Sequence, residues 1–246
     1  MQRTDFGFEQ VTPAEKTRRV RGVFTSIAGS YDLMNDLMSL GIHRLWKRVA
    51  INALAPRRGQ RILDLACGTG DLTRLIAGRT GGKAEIVCSD INAAMLAQGR
   101  DRLLDAGLAG RTHPVQGNAE TLPFAGGSFD SAIIAFGLRN VTDKAAALAS
   151  LARVLRPGGQ LVILEFSRVV IPLLEKLYDT YSFNVLPRIG GFIADDADSY
   201  RYLVESIRRH PDQQRLAAMM EEASFAHCHW HNLSGGIVAI HRGYVL

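Results

Sequence analysis

Of its 246 residues the chain spends only three on cysteine, Cys67, Cys88 and Cys228. They are scattered and odd in number, which argues against a disulfide framework and suits reduced thiols in a reducing cytosol. No apolar run approaches the roughly 20 residues of a membrane-spanning helix. The opening MQRTDFGFEQ lacks the apolar core of a secretory signal. A cytoplasmic protein is therefore expected, with peripheral contact at the inner face of a membrane left open. Internal repeats and low-complexity tracts are also missing. The charge excess is small, a net +5. Its densest cluster, EKTRRVRG over residues 15–22, reads first as a solvated helix face, next as a contact for anionic lipid headgroups, and last as a nucleic-acid contact.

The apolar fraction of 47% and charged fraction of 22% are those of a soluble globular protein, long enough to bury a large core. Strand and helix patterns alternate through the middle of the chain. RILDLA, AEIVCSD, THPVQGN, FDSAIIAFG and QLVILEF read as five short buried strands. Between them lie a helix from Asp71 to about Arg79, a second capped by Asn92 and stopped at Gly107, and a third capped by Asp143 and stopped by RPGG. Such alternation implies βαβ units with right-handed crossovers. FAHCHWHNL and GIVAIHRGYVL, joined at SGG, read as an antiparallel end. The expected fold is α/β: a Rossmann-like, seven-stranded, mostly parallel sheet with an antiparallel C-terminal strand and helices on both faces. One domain is expected over residues 1–246. Within it, residues 1–55 form a helical lid and 56–166 a ligand-binding core. Residues 167–223 form a helical substrate cover, and 224–246 the closing antiparallel strands.

The stretch ILDLACGTGDL, residues 62–72, sets a problem in ligand chemistry. Gly-x-Gly after a first strand suggests a dinucleotide, but the position that should hold a third Gly or Ala is Thr73. Asp71 would also place an anion where a pyrophosphate should sit. A ligand with a cationic end and no phosphate resolves the conflict, and S-adenosylmethionine is one. Glycines admit its methionine part closely, and Asp64 and Asp71 offer carboxylates to its positive groups. Asp90, at the end of the second strand, can accept both ribose hydroxyls. Asn118 and the N–H of Ala119 can read the adenine edge.

DLACGTGDL, SDIN and GNAETLPF together resemble the class I methyltransferase pattern. YDLMNDLMSLGIHRLWKR, FGLRNVTD, RVLRPGGQLVILEFS, YSFNVLPRIGGFIADDADSYRYLVESIRRHP and GIVAIHRGYVL resemble the signatures of the ubiquinone/menaquinone biosynthesis C-methyltransferase family. The resemblance runs from about residue 20 to the end. It implies S-adenosyl-L-methionine as cofactor and methyl transfer to a ring carbon of a prenylated hydroquinone, a benzoquinol or a naphthoquinol. It leaves open a homodimer or a quinone-biosynthesis complex, and implies no nucleic-acid partner. Matching the family's cofactor positions gives Thr69, Asp90, Asn118 and Ala119; with Asp64, Gly68, Gly70 and Asp71 of the glycine turn and the neighbouring Ile91 and Ala135 they make up the expected cofactor set. At the last of these the family often carries Ser, so a hydroxyl contact is absent here.

Carbon methylation needs an electron-rich ring carbon, and a phenolate supplies it far better than a phenol that ionises near pH 10. Arg139 is the expected electrostatic stabiliser of that oxyanion, with Asn140 orienting the ring hydroxyls and Tyr31 in the lid as a third catalytic candidate. An ion pair with a helix acid is the plainer reading of Arg139, and a structural role the plainer reading of His43. HCHWH aligns His227, His229 and His231 on one strand face, yet no metal site is expected. Rival readings are a nucleic-acid or other small-molecule methyltransferase and a non-catalytic quinone or lipid carrier. The first lacks the Asn/Asp-Pro-Pro-aromatic run, and the second has no need of the cofactor constellation. An apolar cleft under residues 1–55 and IPLLEKLYDTYSFNVL is expected to cover a prenyl tail.

Overall fold

The computed structural model describes residues 3–30, 34–36, 39, 41–172 and 197–246. Strands β3 (Arg61–Leu65), β4 (Glu85–Asp90), β5 (Thr112–Gln116), β6 (Phe129–Ala135) and β7 (Leu155–Phe166) run parallel. β9 (Val238–Val245) lies antiparallel between β7 and β8 (Phe225–Leu233). The order across the sheet is β5-β4-β3-β6-β7-β9-β8. Chain direction around the sheet reverses between β3 and β6, and in open α/β sheets that switch point opens a crevice at the strands' carboxyl ends.

The central strands are apolar at nearly every position because both faces are covered. Successive side chains point to opposite faces. Ile62, Ile86, Cys88, Ile133, Val162 and Leu164 therefore pack into one layer, and Leu63, Leu65, Val87, Ala132, Ile134, Leu161 and Ile163 into the other. The first layer is roofed by α1 (Pro13–Ser26), α2 (His43–Leu54), α3 (Asp71–Thr80), α4 (Ala93–Asp105) and α6 (Ala197–Arg209). The second is roofed by α5 (Lys144–Val154) and α7 (Gln213–Glu222). Asn92 and Asp143 cap α4 and α5 as expected, their side chains accepting from Ala94 and Met95 N–H and from Ala146 N–H.

Three local expectations need correction. Residues 1–55 are not wholly helical: β1 (Thr4–Phe6) and β2 (Glu9–Val11) form an antiparallel hairpin, turned by Gly7 at φ 58°. β7 starts at Leu155 rather than Gln160, because Leu155 pairs with Phe129 across a bulge. β8 also bulges between Ala226 and His229, with His227 at φ 53°, so strict alternation fails and the three histidines do not share one regular face. Among the described residues no helix is long and apolar enough to cross a membrane. Most of the proposed prenyl cover, residues 173–186, lies outside the described residues.

One helical glycine fixes the geometry of the crevice. A Cβ on Gly99 of α4 would stand 2.6 Å from the Gly68 carbonyl oxygen. Backbone on the other side cannot yield as a flexible side chain does, so α4 packs against the glycine turn only while position 99 has no side chain. Gly99→Ala should therefore destabilise the protein by about 1–3 kcal/mol through overpacking, despite alanine's better helix propensity. Chemical denaturation measures this, and a variant as stable as the parent would mean that α4 can shift freely.

Candidate active site

At the end of β3 the backbone leaves the sheet through residues at positive φ: Ala66 at 54°, Gly68 at 54° and Gly70 at 84°. Asp90 ties this turn down from the neighbouring strand. Its Oδ2 accepts from Gly68 N–H at 2.9 Å and its Oδ1 from Asn92 N–H at 2.8 Å. Burial holds the Asp90 carboxyl above its usual pKa, opposed by the N–H groups of Asn92, Gly68 and Ile91. These three N–H groups leave part of the carboxylate's acceptor capacity for a ligand hydroxyl.

Asp64 is fully buried on β3. Its Oδ2 accepts from Thr73 Oγ1 at 2.6 Å, whereas its Oδ1 is buried with no partner among the described residues. Burial pushes this carboxyl up to about 7, with the Thr73 hydrogen bonds acting the other way. Thr73, the residue that breaks the dinucleotide fingerprint, thus orients the carboxylate that the turn conceals. The Thr69 hydroxyl is likewise buried with no partner among the described residues. Asp71 is occupied differently: Lys47 of α2 donates to its Oδ2 at 2.7 Å. Burial works to raise the Asp71 carboxyl, but the Lys47 ammonium holds it below its usual value.

A cleft enclosing about 810 Å³ of free space opens over this turn. Of the expected residues, Gly68, Asp90, Ile91, Asn118, Ala119 and Asn140 line it. Gly70 caps α3 and Ala135 ends β6 behind them. Asn118 also caps its own turn, accepting from Glu120 N–H at 3.1 Å. Helix α1 closes one side with Thr17, Val20, Arg21 and Phe24, and Met95, Ile134 and Phe136 make the rest of the wall largely apolar.

Arg139 takes the plainer of its two expected positions. Its Nη1 lies 2.9 Å from Glu165 Oε1 and 2.5 Å from the Phe136 carbonyl oxygen, and the pair is almost wholly buried. The guanidinium lines a second, smaller cavity. The acid is on β7, not on a helix. Asn140 does reach the cleft, and the Tyr202 hydroxyl donates to its Oδ1 at 3.1 Å. His43 is buried, with Nε2 2.9 Å from Asp36 Oδ1, and burial lowers its pKa against that contact. Tyr31 lies outside the described residues. Thr73, Lys47, Glu165 and Tyr202 were not singled out by sequence, and Thr73 alone carried a local signal, the missing third glycine.

The Asp64 oxygen with no partner among the described residues and the acceptor capacity left on Asp90 fit an adenosine ligand with a cationic amino-acid end. Fold and site together define a class I S-adenosylmethionine-dependent methyltransferase. Solved structures agree on the fold: a SAM-dependent methyltransferase of Thermotoga maritima superposes with TM-score 0.65 at 18% identity, over 92% of this chain and 99% of that one. Phosphoethanolamine N-methyltransferase 2 of Haemonchus contortus, solved with S-adenosyl-L-methionine, gives TM-score 0.59 at 14% identity, over 81% and 52%. The model of the ubiE/COQ5 methyltransferase family matches residues 12–245, and the chain belongs to that family. It is 58% identical over 241 residues, 98% of its length and 93% of the relative's, to the ubiquinone/menaquinone biosynthesis C-methyltransferase UbiE of Vibrio cholerae.

Asp90→Ala should weaken cofactor binding about 10- to 150-fold, the loss of one or two charge-assisted hydrogen bonds. Calorimetry on the folded variant checks this, and unchanged affinity would remove Asp90 from the ligand set.

Proposed function

We propose that the cleft methylates a ring carbon of a prenylated hydroquinone, either 2-methoxy-6-polyprenyl-1,4-benzoquinol or demethylmenaquinol, on the way to ubiquinone or menaquinone. The observation that carries this reading is the near-full-length likeness to the Vibrio cholerae enzyme, whose name gives that chemistry. The apolar wall of Val20, Phe24, Met95, Ile134 and Phe136 suits a hydrophobic quinol. Peripheral contact with the membrane that holds such a lipid belongs to the same proposal.

Bound S-adenosyl-L-methionine supplies an electrophilic methyl group from its sulfonium. The chain's own residues hold the reactants and favour the phenolate. Asp90 accepts from the ribose hydroxyls, Asn118 and Ala119 N–H meet the adenine edge, and Asp64 faces the amino-acid end. Thr69, Gly68 and Gly70 shape the turn, Ile91 and Ala135 flank it, and Asp71 supports it through Lys47. Asn140 is the residue assigned to the substrate. Because Tyr202 donates to its Oδ1, the amide NH2 remains to donate to a ring oxygen, where phenolate charge develops. Arg139 is a positioning residue: its bond to Phe136 and its pairing with Glu165 fix the turn that carries Asn140. Helix α1, along one side of the cleft, helps exclude water and align the reactants, and Tyr31 stays a catalytic candidate from sequence.

Purified protein given labelled cofactor with each demethylated quinol tests the reaction. Label on the ring carbon is expected, and label on oxygen or on neither quinol would overturn the reading. Asn140→Ala should lower turnover about 100- to 1000-fold with little change in cofactor affinity or melting temperature. Arg139→Ala, which strands Glu165 unpaired, should instead lose about 3–5 kcal/mol of stability. A stable Arg139→Ala protein whose turnover defect shrinks as pH rises toward the phenol pKa would restore Arg139 to direct contact with the phenolate.

A further inference from the structure

The smaller cavity, about 320 Å³ of free space, is crowded with cations. Lys16 of α1, Arg139, Lys144 of α5 and Arg209 of α6 line it, against Asp5 of the hairpin. Glu165 offsets Arg139. Lys16 and Lys144 instead donate to one and the same acceptor, the Val141 carbonyl oxygen, at 3.2 and 3.4 Å. Each ammonium carries three N–H donors, so most of their donors remain unused there. Lys16 is nevertheless buried, at 3% exposure. Arg139 Nε is buried in the same wall with no partner among the described residues. Arg209 rests over the Phe8 ring at 5.6 Å.

Two close, poorly compensated ammoniums are costly to hold in a buried wall. Burial, and after it the charge of Lys144, lower Lys16 to about 8 against the opposing pull of Asp5 and Glu120. Lys144 is lowered by burial against Glu165, Asp5, Asp143 and Glu120. An anion of matching charge would relieve this strain. Four cations and one acid, Asp5, line the wall, while Glu165, Glu120 and Asp143 act on them from outside it, so the cavity itself presents positive charge to an anion. Donors converge from three helices and a turn, which suits a tetrahedral oxyanion better than a planar carboxylate. We propose that this cavity binds a phosphate dianion, free or as a monoester, through Lys16, Lys144 and Arg209.

The site is joined to the cleft. Thr17 and Thr142, next in the chain to Lys16 and Val141, line the larger cavity. The Thr17 and Thr142 hydroxyls are 3.2 Å apart. An anion bound to Lys16 and Lys144 therefore braces α1 against the loop after β6. By reciprocity, cofactor and anion each strengthen the other's binding.

The test is calorimetric titration of the full chain with inorganic phosphate, glycerol phosphate and sulfate, against chloride at matched ionic strength. Saturable binding of the three dianions is expected, and Lys16→Gln and Lys144→Gln should each weaken it about tenfold or more. Glutamine keeps a donor for Val141 and removes a repulsive charge, so both variants should melt no lower than the parent in anion-free buffer. Sulfate does not titrate, so its affinity should fall as pH rises through 8 and Lys16 loses its proton. Sedimentation with phosphatidic acid in phosphatidylcholine vesicles separates the sources: binding lost in Lys16→Gln marks a lipid monoester, and its absence alongside phosphate binding marks a soluble one. Either outcome supports the site. Dianions acting no better than chloride, or two folded glutamine variants that bind as the parent does, would overturn it.

Discussion

Burying Asp64 with one oxygen that has no partner among the described residues is the constraint on which the site depends. A carboxyl pushed up to about 7 holds its proton more tightly folded than unfolded. Stability from that proton is complete below the unfolded carboxyl value near 4. It is lost as pH rises through about 7, so above neutrality the cofactor-free fold carries a buried ionised carboxylate that the Lys47 charge and the Thr73 hydrogen bonds only partly offset. A cationic ligand offsets that penalty, whereas a phosphate-bearing one would add to it. The same residue that makes the empty fold less stable therefore selects the chemistry of what fills it.

The surroundings keep the carboxylate in place. Leu63 and Leu65 of the same strand anchor β3 in the opposite layer, so the backbone cannot roll to expose Asp64. Thr73 fixes one oxygen, Asp90 pins the glycine turn above it, and Gly99 lets α4 close on that turn. Lys47, two layers of sequence away, neutralises Asp71 and joins α2 to α3. The carboxylate nearest the surface is thus paired with a lysine, whereas Asp64 and Asp90 are held by hydrogen bonds from a hydroxyl and from backbone N–H groups.

Much of this was legible in sequence because the strongest signals are local. Apolar strands ending in Gly or Asp, and caps at Asn92 and Asp143, announced the βαβ core and the ends where Asp64, Asp90 and Asn118 lie. The hairpin at Thr4–Val11 was not legible, since strands of three residues carry too little alternation to stand out from the helical pattern around them. The pairing of Arg139 with Glu165 escaped for another reason. A buried acid in QLVILEF is visible, but which cation meets it depends on register between β6 and β7 and on a turn that doubles back beneath Phe136. Asn118 shows the converse: the turn-forming and cleft-lining readings both hold in one side chain.

The central claim is that an only partly offset Asp64 awaits the cofactor's cationic end, and proton counting tests it most directly. Cofactor binding is measured by calorimetry at about pH 6 in two buffers of different ionisation enthalpy, for the parent and for Asp64→Asn. The account predicts release of most of one proton per cofactor bound, fading toward pH 8 and absent in the variant. Binding without proton release in the parent, or the same release in Asp64→Asn, would contradict it.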